Sequence, residues 1–249
     1  MTYSKIEAHL REVKYLSCEK IAQCFDVFKR HYDCVDFDRF LNDLKEKEHI
    51  IVLEDLSGHM VGFSTLTVYE LEVMGRRVRI VYSGDTIIDK AHWGSQQLVR
   101  CWCSFAGTLK AQDPDAKLYW LLISKGHRTY LYLPLFAHRF YPRYDETTPS
   151  FEEAILRTFG EFKFSRDYRP DKGIISFAES RGQLKPHVAD VPLTHLSNEH
   201  VQFFLNKNSD YLKGDELACI CELDATNLKS VALRNFVKGT NVPVSALYT

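Results

Sequence analysis

RRVRIVYSGDTIIDKAHWGSQQL, residues 76–98, runs from a long strand through a short glycine-containing loop into the start of a helix. Upstream, the two-residue period continues in IIVLEDL (50–56) and MVGFSTLTVYELEV (60–73), with turn residues at Ser57–Gly58 and Met74–Gly75. Three strands joined by turns this short form an antiparallel meander. Downstream, Gly94 to Ala111 reads as a helix with Leu98, Cys101, Trp102, Phe105 and Leu109 on one face, and KLYWLLIS (117–124) as a compact buried strand. A strand, a helix and a strand in that order predict a right-handed crossover to a parallel neighbour. The expected class is α/β, a mixed sheet in which a meander is followed by a β-α-β crossover.

The flanks read less sharply. The first fifty residues are expected to be helical: Ile21, Phe25, Phe28 and Tyr32 share one face, Phe37, Phe40, Leu41 and Leu44 another, with Asp36 as the N-cap of the second. HRTYLYLPLFAHRFY (127–141) is expected to be helical with a bend or new start at Pro134, and Phe151–Phe159 to form a short helix. Beyond Gly160, RPDKG and QLKPHVADVP read as loops, ELACICEL (216–223) as a strand and NLKSVALRNF (227–236) as a short helix. This divides the chain into a core with N-terminal helices over residues 1–160 and a C-terminal extension or cover over 161–249.

Composition narrows the class of partner. Thirty-two Lys and Arg against thirty-three Asp and Glu leave a formal charge of −1, so no global field draws the protein to nucleic acid or an anionic membrane. The longest apolar runs fall far short of the roughly 18–20 residues a membrane span requires, and MTYSKIEAHLREVKY has no apolar signal core. Seven cysteines, an odd count, fit reduced thiols, and the reading is cytoplasmic. The CxC pairs Cys101/Cys103 and Cys219/Cys221 are expected to be buried thiols, because positions i and i+2 of a helix diverge by about 200° and cannot share one tetrahedral ion. No HxH, HExxH, GxSxG or P-loop spacing occurs, so no metal is expected.

The strand-loop-helix at 76–98, following a meander, resembles the GNAT superfamily of N-acetyltransferases over roughly residues 36–141. That resemblance implies a GNAT-like sheet with a splayed strand pair and a loop holding the pyrophosphate of an acyl-CoA. Exposed N–H groups at a helix start suit such an anion. By this resemblance the donor-binding residues are Trp93, Gly94, Ser95, Gln96, Gln97 and Leu98. Gly94 stands at the first glycine of the family loop, Gln96 at a position where a second small residue is usual, and Trp93 where a basic residue is common. Gly84, inside the preceding strand, marks a bulge, which in the family opens the cleft for the pantetheine arm. If alternation is unbroken, Asp85 and Asp89 share a face with Val81 and Ile87, and Asp85 is the candidate base for a substrate ammonium, with His92 as an alternative. A backbone N–H near Ile87 or Ile88 would hold the oxyanion. Ser124 falls near the family's Asn position, and Tyr132 at the position of the Tyr that protonates the departing thiolate, with Tyr130 and Tyr141 as competitors.

The expected function is acyl transfer from acetyl-CoA, another acyl-CoA or a carrier-bound thioester to an amine of a small molecule or peptide, by direct attack in a ternary complex. The alternative is a non-catalytic GNAT-like module that binds an acyl carrier or a protein partner. A third reading, an acyl-carrier-dependent synthase, would use Arg76, Arg77 and Arg79 as a basic docking patch.

Overall fold

The computed structural model describes residues 5–179, 181–243 and 248. In chain order its elements are β1 (Ile6–Glu12), α1 (Cys18–His31), β2 (Tyr32–Asp33), α2 (Phe37–Lys45), β3 (His49–Asp55), β4 (Met60–Val73), β5 (Arg76–Ile88), α3 (Gln97–Gln112) and β6 (Lys117–Ser124). There follow α4 (His127–Tyr130), α5 (Tyr132–Phe136), α6 (Ser150–Phe164), β7 (Tyr168–Arg169), β8 (Ile174–Ile175), β9 (Gln183–Leu184), α7 (Pro186–Ala189), α8 (Glu199–Lys207), β10 (Glu216–Glu222) and α9 (Ser230–Gly239). Eight strands form one mixed sheet in the order β1-β3-β4-β5-β6-β10-β8-β7, and β2 pairs separately with β9. Among the described residues, no helix is long and apolar enough to cross a membrane.

The expected meander and crossover are present. β3, β4 and β5 pair antiparallel, and β6 returns beside β5 in parallel after α3. The turn between β4 and β5 places Met74 and Gly75 at φ of 51° and 72°, the left-handed pair a two-residue hairpin needs. Asp36 caps α2, its carboxylate accepting from the Arg39 amide at 2.9 Å.

Three of the expected elements are corrected. Residues 6–12, expected within a helical region, form β1 on the edge of β3. Ile6 and Leu10 are the residues buried there, and a spacing of four satisfies a strand as well as a helix. Helix α3 begins at Gln97 rather than Gly94, after a 3-10 turn over Lys90–His92. The segment expected as one helix over 127–141 breaks at Leu131 and is extended from Ala137. Tyr141 exchanges both backbone hydrogen bonds with Ile220 at 2.8 Å, so the chain there edges β10 instead of coiling.

The C-terminal segment builds into the sheet. β10 pairs antiparallel with β6 from Leu217↔Ser124 to Glu222↔Tyr119. α9 crosses α3 closely: a Cβ on Gly107 would lie 2.0 Å from the Phe236 carbonyl oxygen, and one on Gly239 the same distance from that of Ser104. One face of the sheet packs against α3, α5 and α9, and there the CxC cysteines 103, 219 and 221 are buried as free thiols with Cys101 at the margin. The other face is shared by α6, over Ile80, Tyr82, Tyr119 and Ile220, and by α1 with α2, over Ile50, Val52, Phe63 and Ile87. The site lies between those two groups of helices.

Candidate active site

β5 keeps its pairing with β4 as far as Ile88, but its pairing with β6 ends at Ser83↔Leu122. Residues 84–88 therefore carry an open backbone edge where the two parallel strands splay. The cause is local. Ser64 faces Thr86 while Leu66 faces Ser83, so β5 holds one extra residue at Gly84–Asp85. A side chain at Gly84 would put a Cβ 2.6 Å from Thr65 Oγ1 and 2.9 Å from Lys47 Cε. Below the splay, Ser83 Oγ accepts from the indoles of Trp120 at 3.0 Å and Trp102 at 3.2 Å. One hydroxyl satisfies two buried donors. Ser83→Ala strands both, and the expected cost is about 2–5 kcal/mol, read as a lower midpoint in urea unfolding.

The bulge also redirects Asp85. Before it, Ile80 and Tyr82 face α6 while Val81 faces α3; after it, Ile87 lies on the α1–α2 side and Ile88 against the α3 side. The alternation is broken, so Asp85 is not on the face of Val81. It lines a cavity of about 470 Å³ together with Tyr82 and Ile87. Its half-buried carboxylate makes no hydrogen bond or ion pair with any described residue. Burial and the Asp43 charge raise its pKa to about 7, partly opposed by Lys47 and Lys125. Both lysines have carboxylate partners, Lys47 on Asp43 at 2.7 Å and Lys125 on Glu216 at 3.3 Å.

A slot of about 30 Å³ lies between the splayed strands, lined by Leu98, Val99, Trp102 and Trp120, and it shares Gly84, Thr86, Ile123, Thr129 and Tyr132 with the cavity. Tyr132 thus stands where slot and cavity meet. Its hydroxyl makes no hydrogen bond to a described residue, and burial raises its pKa, which keeps the phenol protonated. The competing tyrosines are engaged elsewhere: Tyr130 donates to the Pro142 carbonyl at 2.8 Å and Tyr141 to Glu146 at 3.0 Å.

The other residues singled out from the sequence divide. Ile87, Ile88 and Trp93 line the cavity and Leu98 the slot, whereas Gly94, Ser95, Gln96 and Gln97 line neither. Trp93 donates its indole N–H to the Ile88 carbonyl at 2.7 Å, closing part of the open strand edge. At the start of α3 the Gln97 amide donates to Ser95 Oγ at 3.3 Å, and the amides of Leu98 and Val99 have no described partner. Ser124 lies outside both cavities, fully buried at the end of β6 opposite Leu217 of β10, its carbonyl accepting from Asn208. His92 is buried rather than exposed and lines neither cavity. The Arg76–Arg79 cluster is spent internally: Arg77 pairs with Asp113, buried Arg79 donates to the Leu109 carbonyl at 2.7 Å, and Arg76 lies over Phe151.

Several cavity residues carried no sequence signal. His31, at the end of α1, lines the cavity and donates from Nε2 to Asp89 at 2.8 Å, leaving Nδ1 without a hydrogen bond. Burial acts upward on Asp89, but His31 and Arg30 outweigh it and hold the carboxyl below its ordinary value. Tyr32, Lys125 and Glu216 join from β2, the residue after β6 and the start of β10. Among the described residues, no three or more His, Cys, Asp or Glu side chains are placed to hold a metal ion.

No protein-family model matches the chain, and no curated protein sequence matches it. Solved structures do. A conserved protein of unknown function from Enterococcus faecalis matches with a TM-score of 0.36 and 11% identity, over 50% of this chain and 31% of that one. The match therefore spans less than a third of that protein's length. A GNAT-family N-acetyltransferase from Escherichia coli, solved with CoA, matches with a TM-score of 0.33 and 15% identity, over 50% of this chain and 67% of that one. An acetyltransferase from Trypanosoma brucei matches with a TM-score of 0.36 and 15% identity, over 58% of this chain and 97% of that one. At these identities no residue role carries across.

Proposed function

We propose that the protein transfers an acyl group from an acyl-CoA, or from a carrier-bound thioester, to an amine of a small molecule or peptide. The observation that carries this reading is the meeting of an open strand edge and slot with a cavity holding an unpartnered carboxylate, at a phenol that faces both. An extended thioester arm laid along residues 84–87 would pair with the part of the backbone edge that Trp93 leaves open, as an added strand does. Its thioester carbon would then lie near the junction, where the amine enters from the cavity.

The reaction is written as direct attack. Asp85 takes the proton from the ammonium, the freed lone pair attacks the thioester carbonyl carbon, and the tetrahedral oxyanion is held by a backbone N–H near Ile87 or Ile88. The carbon–sulfur bond then breaks, and Tyr132 donates its proton to the leaving thiolate. The nitrogen of the new amide loses its second proton to the Tyr132 phenolate, which restores the phenol, and Asp85 releases its proton to solvent. Holding donor and acceptor in adjoining spaces supplies rate through orientation. The free carboxylate and free phenol favour this reading over a module that only binds, because such a module has no use for two polar groups held without partners at a cavity junction.

The test is a titration with acetyl-CoA and longer acyl-CoAs followed by melting temperature and calorimetry, together with thiol release against a panel of amines. Saturable binding and amine-dependent thiol release are expected. Tyr132→Phe is expected to lower kcat by about 10²-fold with KM little changed, the signature of a lost proton donor. No binding at millimolar acyl-CoA, and no turnover of a carrier-bound thioester, would overturn the proposal.

A further inference from the structure

We propose that Arg128 and His195, backed by His127 at the start of α4, form a binding site for a phosphate or carboxylate group. Three observations meet there. His127 is fully buried, and neither ring nitrogen has a hydrogen-bond partner among the described residues. Arg128 lies with its guanidinium 4.4 Å from the centre of the Trp93 ring, its Nε is buried without a partner, and it forms no ion pair with a described residue. The His195 ring stands edge-on to His127 at 5.7 Å with Nδ1 buried and unpartnered.

Arg128 is left unbalanced where the lysines in and beside the cavity are not; the exposed Arg181, over Phe177, likewise forms no ion pair with a described residue. Lys47, Lys125 and Lys163 each carry a carboxylate, on Asp43, Glu216 and Glu46. Arg128 has none. Burial alone pulls its pKa down, and His127 is pulled down to about 4 by burial first and then by its neighbours Arg128 and His195. Buried N–H donors left without acceptors are costly, and an anion repays several of them at once. The Trp93 ring holds the guanidinium by a cation–π contact, and a guanidinium fork suits the paired oxygens of a phosphate or carboxylate.

Arg128, His195 and Trp93 all line the main cavity, and the Trp93 indole is bonded to the open end of β5. The anion would therefore belong to a molecule already in the cleft. Two sources fit, a phosphate of the thioester donor or an acidic group on the amine acceptor; this choice of sources rests on the acyl-transfer reading, whereas the site itself does not.

The experiment is calorimetry of the wild-type protein, Arg128→Met and Arg128→Lys with inorganic phosphate, CoA and pantetheine, at fixed ionic strength set by chloride. Wild-type protein is expected to bind phosphate saturably. Loss of the charge-assisted pair in Arg128→Met weakens that binding by about tenfold or more, and Arg128→Lys, which keeps the charge without the fork, falls between. Unchanged circular dichroism of Arg128→Lys separates lost binding from lost folding. Competition between CoA and phosphate, with none from pantetheine, assigns the anion to the donor; simultaneous binding of CoA and phosphate assigns it to the acceptor. Arg128-dependent phosphate binding in a protein that neither binds nor uses acyl-CoA keeps the anion site while removing the acyl-transfer reading. Phosphate binding that is absent, or equal in wild type and Arg128→Met, overturns the site.

Discussion

Asp85→Asn is expected to lower kcat/KM for amine acylation by about 10²–10⁴-fold, the range over which a positioned proton acceptor contributes. The substitution keeps the shape of the side chain at the bulge and removes only its basicity. In the wild-type protein the base is active when ionised, so kcat/KM should rise with pH up to about 7 and level above it. The asparagine variant should lose that limb. Asp85 gives a second, independent readout through stability. Its pKa is raised in the folded state, so between the ordinary carboxylate value and about 7 the folded chain holds a proton that the unfolded chain has released. Stability due to this group is therefore complete at low pH and is lost as pH rises through that window. Asp85→Asn should flatten the fall, a change visible in urea unfolding at pH 5 and pH 8. If turnover by Asp85→Asn stays within about threefold of wild type, with the same pH profile, the base lies elsewhere. His31, which lines the same cavity and is held by Asp89, is the next group, and His31→Gln would then carry the loss.

Lys125→Met should produce the largest loss of stability, about 3–5 kcal/mol, because it leaves the Glu216 carboxylate buried without its cation. The side chains of Lys125 and Glu216 are each only 10% exposed, and they meet at 3.3 Å. Lys125 also donates to the Gly182 carbonyl at 3.1 Å and lies 5.3 Å from the centre of the Tyr32 ring, so the ammonium ties the end of β6 to the segment that pairs with β2. Chemical denaturation reads the loss. Replacing both partners, Lys125→Met with Glu216→Met, is expected to recover most of it, since the desolvation cost of two charges disappears with them. Lys125 is one of the groups holding the Asp85 pKa down, and Glu216 one of those pushing it up. In residual activity, Lys125→Met should therefore move the rising limb of the pH profile to higher pH, and Glu216→Gln to lower pH. A Lys125→Met protein as stable as wild type would show that the pair is open to water.

The two predictions depend on different kinds of information. Asp85 was legible as a candidate because it follows Gly84 in a strand that leads into a loop and helix, a purely local pattern. Its face was not legible, because a one-residue bulge reverses the alternation and only the pairing of Ser64 with Thr86 and Leu66 with Ser83 reveals it. Lys125 and Glu216 stand 91 residues apart along the chain, and no local signal links them. The same holds for Tyr132. Its position was proposed with two competitors, and what separates it from Tyr130 and Tyr141 is where Pro142 and Glu146 fall in space.

By itself the sequence determined the meander of β3, β4 and β5, the crossover through α3 to β6, the cap at Asp36 and the irregularity at Gly84. These follow from side-chain period, turn chemistry and backbone freedom, all of which act within a few residues. Tertiary structure alone decided that residues 6–12 pair as an edge strand, that residues 137–141 extend beside β10, and that β10 enters the sheet next to β6. It also decided which charges share the cavity and which nitrogens at its rim lack partners. Strand pairing, burial and Coulomb interaction act between residues distant in sequence, so their outcome depends on the whole packed chain and leaves no trace in any short stretch of it.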